Sequence, residues 1–319
     1  MTTERTQADL WQLFWGALVT RLLAITADLG IADALADGPR PVEELAREAG
    51  ADRDTLHRVL RALASDGVFA EVAPGVYRNT EASEGLRRGT RWHDFAHLFG
   101  GVWHRALGEL TAAGEPTFEL LHGTDFWTWL GEHEDERGAF DRAMSGGWEW
   151  KVDQVASAEW RGDELVVDVG GGNGALLIEL LRRRPGLRGV VFDLPETTRD
   201  EAAFGDRIEF VAGSFFERVP PGDVYVLSTI LHDWDDDRSG QILGAIRAAA
   251  PDHARLLVVD AVVPPGNEPH GAKFLDLLML ALFGARERDE AQWRALLEAN
   301  GFEPVRIADG LIEARCRSR

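Results

Sequence analysis

The segment ELVVDVGGGNGALLIELLRRR, residues 164–184, decides the fold. ELVVDV reads as an apolar strand, and Gly170, Gly172 and Gly174 follow it at once. ALLIELLRRR then places apolar side chains at helical spacing until Pro185 stops it. Strand, glycine loop and helix in that order open a βαβ unit. The missing side chains let the backbone pass close to a ligand and aim N–H groups at it, so a nucleotide-like cofactor is expected.

Outward toward the C-terminus, RGVVFDL (188–194), RIEFVAG (207–213), DVYVLSTIL (223–231) and ARLLVVDAVV (254–263) read as further strands, with helical segments such as SGQILGAIRAAA (239–250) between them. That alternation requires a parallel sheet covered on both faces. The end of the chain differs: FEPVRIADGLIEARC (302–316) is two strands joined at Asp309-Gly310, a tight-hairpin signal, so an antiparallel strand closes the sheet. The fold class is α/β and Rossmann-like.

The glycine loop alone leaves two cofactor classes open, since Gly170, Gly172 and Ala175 also satisfy the looser dinucleotide pattern. Asp168, the early third glycine and the terminal hairpin favour a sulfonium nucleoside, whose amine a carboxylate at 168 can pair. Asp193 ends the second strand nineteen residues after Gly174, where a carboxylate accepts ribose hydroxyls. Ser214 and Phe215, after the third strand, are placed to meet the adenine by hydrogen bond and by packing.

The fourth strand runs into Leu231-His232-Asp233-Trp234, at the edge where doubly wound sheets hold their reactive ligand. A neutral imidazole at 232 suits removal of a phenol proton, and Asp260 or Glu287 would hold its tautomer. Asp235, Asp236 and Asp237 point in different directions on a helix start and favour its dipole, so capping rather than a metal site is expected of them.

Before the sheet the chain is helical. Trp11, Phe14, Trp15, Leu18, Leu22, Leu23 and Ile25 cover more than one face of a helix running from about Trp11 to Leu35, which needs two covers, its own domain and a second copy of the chain. Pro41 starts a helix, Asp52 caps the next, and VFAEVAPGVYRN (68–79) forms two strands around Pro74-Gly75, so residues from Pro41 to about Asn79 look like a winged helix-turn-helix. Nine Arg are matched by nine Asp plus Glu between Arg40 and Arg91, and the whole chain of 319 residues carries a formal charge of −20, which argues against a nucleic-acid partner. From Arg91 to Trp160 the pattern is helical and dense in aromatic residues, Trp148 among them. Most of these build core, while Phe140 and Met144, with Met279 and Asp233, are expected to line a pocket for a flat acceptor. No apolar run is expected to reach the length of a membrane span, and Leu275 to Gly284 suits a buried helix. One cysteine, Cys316, suits a reducing cytoplasm.

Together DVGGGNG, FDLP, GSFF, LHDWDD and ARERDEAQW resemble the S-adenosylmethionine-dependent O-methyltransferases of the plant caffeic-acid type and their bacterial natural-product tailoring relatives. The resemblance spans nearly the whole chain. It implies His232 as general base flanked by Asp260 and Glu287, and Gly170, Gly172 and Asp193 as cofactor-binding. It places Ser214 and Asp260 where plant members carry Asp and Glu, and Ser228 where they carry a cofactor-side lysine. It implies a winged-helix dimerisation domain over residues 1–91, a helical linker and substrate lid over 92–160, and a catalytic domain over 161–319. The partners implied are a second copy of the chain and an aromatic small molecule, with S-adenosylhomocysteine as the spent cofactor. N- or C-methylation on the same scaffold, or a winged-helix regulator sensing a ligand, are the competing readings.

Overall fold

Left-handed glycines and capped helices organise the N-terminal elements of the chain, seen here in a computed structural model that describes residues 5–112, 114–147, 149–195, 197, 205–308 and 310–317. The chain divides into two compact units, Thr3–Thr111 with Thr117–Gly146, and Ala112–Pro116 with Gly147–Arg319. Trp148 and Asp309 lie outside the described residues.

In the first unit the single long helix expected from Trp11 to Leu35 is two, α1 (Leu10–Asp28) and α2 (Ile31–Ala34), because Gly30 between them takes φ 67°. The 19 residues of α1, with mean hydropathy 1.4, are long and apolar enough to cross a membrane by length and composition, contrary to the expectation that no run reaches that length. Polar residues hid this by interrupting the run. The helix is used inside its unit: Arg21 donates to the Gly100 carbonyl at 2.8 Å, and a Cβ at Gly100 would meet Ala24 at 2.5 Å. Its first half is different, with Trp11, Phe14 and Trp15 61%, 63% and 54% exposed.

The winged module follows: β1 (Arg40–Pro41), α3 (Val42–Ala49), α4 (Arg53–Ser65), β2 (Phe69–Ala73) and β3 (Val76–Asn79), the strands ordered β1-β3-β2 and antiparallel. Asp52 caps α4 by accepting the Thr55 N–H at 2.8 Å, and the helix buries Leu56, Val59, Leu60 and Leu63, the i, i+3, i+4, i+7 stripe. Six further helices complete the unit: α5 (Glu81–Glu84), α6 (Arg91–Gly100), α7 (Val102–Gly108), α8 (Thr117–His122), α9 (Phe126–Glu132) and α10 (Glu134–Ser145). Phe140 packs against the rings of Phe126 and Trp127, each with centroids 5.6 Å away.

The second unit begins with α11 (Glu149–Ser157) and then builds its sheet from β4 (Leu165–Val169), β5 (Arg188–Asp193), β6 (Ile208–Ala212), β7 (Val224–Ser228), β8 (Arg255–Val259), β9 (Phe302–Ala308) and β10 (Leu311–Cys316). Helices α12 (Ala175–Arg183), α13 (Asp236–Ala249), α14 (Ala272–Phe283) and α15 (Glu290–Ala299) connect them. The order is β6-β5-β4-β7-β8-β10-β9, parallel as far as β8, with β10 antiparallel to both neighbours. Thus a Rossmann-like, mostly parallel sheet with a terminal antiparallel hairpin is present, as expected. Pro304 is tolerated because β9 is an edge strand. The order reverses between β4 and β7, which opens a crevice beyond their carboxyl ends.

Two expectations change here. The fourth strand stops at Ser228, three residues short of Leu231, since Thr229 turns into the left-handed region at φ 54°, and β8 stops at Val259. Helix α14 buries Leu278, Met279, Ala281 and Leu282 on one face only, leaving Phe274 77% exposed.

Candidate active site

Strand β4 delivers Asp168 to the crevice, and the glycines after it fold back over its carboxylate. Gly170, Gly172 and Gly174 take φ of 72°, 58° and 80°, all unfavourable for an L side chain. A Cβ at Gly170 would meet Ile230 Cδ1 at 2.5 Å, and one at Gly171 would meet the Asp168 carboxyl at 2.8 Å. Gly172 has nothing within 4 Å of that position, so a ligand can approach its backbone.

The loop's N–H groups, expected to face the ligand, are largely spent within the protein. Gly170 donates to the Phe192 carbonyl at 2.8 Å, Gly174 to Gly171 at 2.9 Å, and Gly172 to Asp193 Oδ2 at 2.8 Å. What the crevice offers instead is unsatisfied side-chain oxygen. Asp168 is buried with Oδ2 unpartnered, and Ser228 Oγ at the end of β7 is buried and unpartnered too. Burial, and then the nearby Asp193, push the Asp168 carboxyl up to about 7, with Lys151 opposing them. An unpartnered carboxylate in low dielectric calls for a cation, which the amine of an amino-acid nucleoside provides. Asp193 Oδ1 accepts the Leu194 N–H at 2.7 Å and the Thr197 hydroxyl at 2.8 Å, and Oδ2, which takes the Gly172 N–H, keeps one lone pair for a ribose hydroxyl. Phe215 Cε1 lies 3.6 Å from the Cβ position of Gly170, beside the loop, whereas Ser214 Oγ is engaged by the Phe216 N–H at 3.3 Å. These residues fit a sulfonium nucleoside: Asp168 for the amine, Asp193 for the ribose, Phe215 for the base.

After Thr229 the chain makes a short 3-10 turn, Leu231–Asp233, that sets His232 at the same edge. Its imidazole is 13% exposed: Nδ1 bonds Glu287 Oε1 at 2.8 Å, and Nε2 lies 3.4 Å from Asp233 Oδ1. Glu287 holds the ring. Asp260 Oδ1 stands 4.0 Å from Nδ1, beyond hydrogen-bond reach, with both oxygens buried and unpartnered. Sequence reasoning left the two carboxylates equal, and the structure separates them. Burial works against a charged imidazole, but Asp233, Asp260 and the Glu287 hydrogen bond outweigh it and hold His232 up at about 10. Burial lifts Asp233 to about 6 and Asp260 to about 7. The carboxylates around it thus favour the charged form of a ring that was expected to be neutral near pH 7.

Of the remaining expected residues, Met279 is buried on α14, while Phe140 and a half-exposed Met144 belong to α10 in the other unit. Asp235 caps α13 through the Arg238 N–H at 2.7 Å, and Asp236 pairs with Arg288 at 2.8 Å. Three residues escaped sequence reasoning. Lys151 reaches from α11 to donate to Thr229 Oγ1 at 3.0 Å, Thr229 carries the strained turn, and Arg288 is wholly buried beside Glu287. For Lys151 the signal was rarity, since the chain has only one other lysine, Lys273.

Comparisons with known proteins give matches along most of the chain. Residues 103–303 match the model of the O-methyltransferase domain and residues 11–88 that of the O-methyltransferase dimerisation domain. The chain is similar to phenazine O-methyltransferase PhzM of Lysobacter antibioticus, 41% identical with 96% of this chain and 95% of that one covered. The crystal structure of LaPhzM superposes with a TM-score of 0.89 at 39% identity, over 98% of this chain and 100% of that one. The O-methyltransferase NcsB1 from neocarzinostatin biosynthesis, solved with S-adenosyl-L-homocysteine and 1,4-dihydroxy-2-naphthoic acid, gives a TM-score of 0.80 at 32% identity over 93% and 95%.

Proposed function

The chain belongs to the S-adenosylmethionine-dependent O-methyltransferase family, and from that premise we propose that it methylates a hydroxyl of an aromatic small molecule, with His232 taking the hydroxyl proton. The observation that carries this reading is the 2.8 Å bond from His232 Nδ1 to Glu287, which fixes the ring and leaves Nε2 to serve the acceptor. When bound, the cofactor supplies an electrophilic methyl group on a sulfonium. Glu287 orients the imidazole, Asp168 holds the cofactor's amine and Asp193 its ribose, and the proton leaving the acceptor oxygen passes to Nε2. A phenol titrates at about 10, and the imidazole is held at about 10 as well. With the two values close, the proton passes nearly evenly between oxygen and ring, and the neutral ring that accepts it gains population as pH rises toward 10.

The relatives' names point to aromatic acceptors such as phenazines and naphthoic acids, and we extend that class to this chain. The exposed aromatic face of α1 and the dimerisation-domain match support a homodimer, and the single, buried thiol of Cys316 suits a cytoplasmic enzyme.

The test is single-methyl gain by intact mass on a panel of hydroxylated phenazines and naphthoic acids. His232→Ala should lower turnover by about 10²-fold or more while S-adenosylhomocysteine still binds. Unchanged turnover in that variant would sink the base assignment, and methyl gain on acceptors whose only nucleophile is nitrogen would move the reading to N-methylation.

A further inference from the structure

We infer that Arg288 is a positioning residue for His232, a brace that fixes the backbone of the turn while the adjacent Glu287 fixes the ring; the inference rests on the base assignment proposed above. Arg288 has no exposed surface. Its Nη1 donates to the Leu231 carbonyl at 2.8 Å and its Nη2 to the Trp234 carbonyl at 2.9 Å, so one planar guanidinium spans the two residues that bracket His232 and Asp233. Nη2 also donates to Ser239 Oγ at 3.1 Å and Nε to Asp236 Oδ1 at 2.9 Å, which ties the start of α13 to the same fork.

The turn needs such a brace. Its own backbone bonds are long, 3.2 Å from Asp233 N to the Ile230 carbonyl and 3.4 Å from Trp234 N to that of Leu231, and it begins just after the strained Thr229. The bracing segment is itself anchored. The Arg288 carbonyl accepts the Val263 N–H at 2.9 Å, and the Glu287 N–H bonds Asp276 Oδ1 at 2.8 Å. An apolar side chain would fill the same volume without the cost of burying a cation, but it would not hold two carbonyls three residues apart. Neighbouring residues of one rigid segment thus divide the work. Without the fork the imidazole rides on a loose turn, and displacements of about 1 Å at a reacting group cost about 10²-fold in rate.

The test compares Arg288→Met, His232→Ala and the double variant. In Arg288→Met, kcat should fall about 10- to 100-fold, with acceptor KM and the calorimetric Kd for S-adenosylhomocysteine within about threefold of wild type. The downfield imidazole N–H resonance that Glu287→Ala abolishes should broaden or vanish. The double variant should be no slower than His232→Ala, because a residue acting through the histidine has nothing further to lose. A full multiplicative loss in the double variant, or an unchanged resonance, overturns the inference. If the resonance is lost in Arg288→Met while His232→Ala keeps wild-type turnover, the brace stands and the base assignment falls. Should Arg288→Met lack a cooperative thermal transition, Arg288→Lys, which keeps the charge without the fork, carries the same measurements: partial loss of kcat and of the resonance supports the brace, and wild-type values overturn it.

Discussion

His232 sits among three carboxylates, and that surplus of negative charge governs how the site responds to pH. The imidazole is held at about 10, above its ordinary value. A base must be neutral to accept a proton, so kcat/KM should climb with pH from 7 through 9, about tenfold per unit. Glu287→Gln removes one charge and leaves a neutral amide oxygen to accept from Nδ1, so the imidazole titrates lower and the rising limb moves to lower pH, by about 1–3 pH units for a lost opposite charge at this distance. A pH–rate profile checks this, and a limb that stays in place would mean another group titrates. At this scale the sequence was half legible. The placement of His232 at the carboxyl edge of the sheet followed from the strand pattern, but the pull of its neighbours on its proton did not, because that depends on how close residues 233, 260 and 287 come in space. The distinction between 2.8 Å and 4.0 Å that separates Glu287 from Asp260 has no trace in spacing along the chain.

Elements were most legible where backbone chemistry is local. Asp52 capping α4, Gly174 opening α12 and the hairpin at Gly310 each follow from one or two residues. The ends of β7 and the break after α1 were not, since β-branched Thr229 ordinarily extends a strand and its left-handed turn is imposed from outside, by Lys151 on its hydroxyl and by the Val259 carbonyl on its N–H. Helix-to-helix contacts behave the same way. His97 on α6 bonds Asp28 at the end of α1 at 2.7 Å and Glu136 on α10 at 3.2 Å, and these two bonds raise its pKa to about 10 against burial. Because the folded value lies above the unfolded one, the stabilisation is complete below about pH 6.5 and disappears as pH rises through about 10. Between pH 6.5 and 10 the wild type should therefore lose about 2–4 °C more in Tm than His97→Gln, by differential scanning fluorimetry. Equal losses in the two proteins would remove His97 as the pH-sensitive tie.

For the whole molecule, the double-sided apolar pattern of the first helix was legible because burial inside one domain uses only one stripe. The structure accounts for that stripe with Ala24, Thr26 and Ala27, and leaves Leu10, Trp11, Leu13, Phe14, Trp15 and Leu18 uncovered. A chain with formal charge −20 repels its own copies in solution, so association must be driven by apolar contact concentrated in one place. Six large side chains on the first half of one helix meet that requirement. Burying a large apolar side chain is worth about 1.5–3 kcal/mol, and half-exposed ones gain roughly half of that. Replacing Trp11 and Phe14 by Asp in both copies should then weaken association by about 4 kcal/mol or more, some 10³-fold in Kd. Light scattering after gel filtration should give twice the 35.2 kDa chain mass for the wild type and the single-chain mass for the double variant at micromolar concentration. A double variant that still elutes as a dimer would place the interface on another surface, and the exposed half of α1 would then need a different cover.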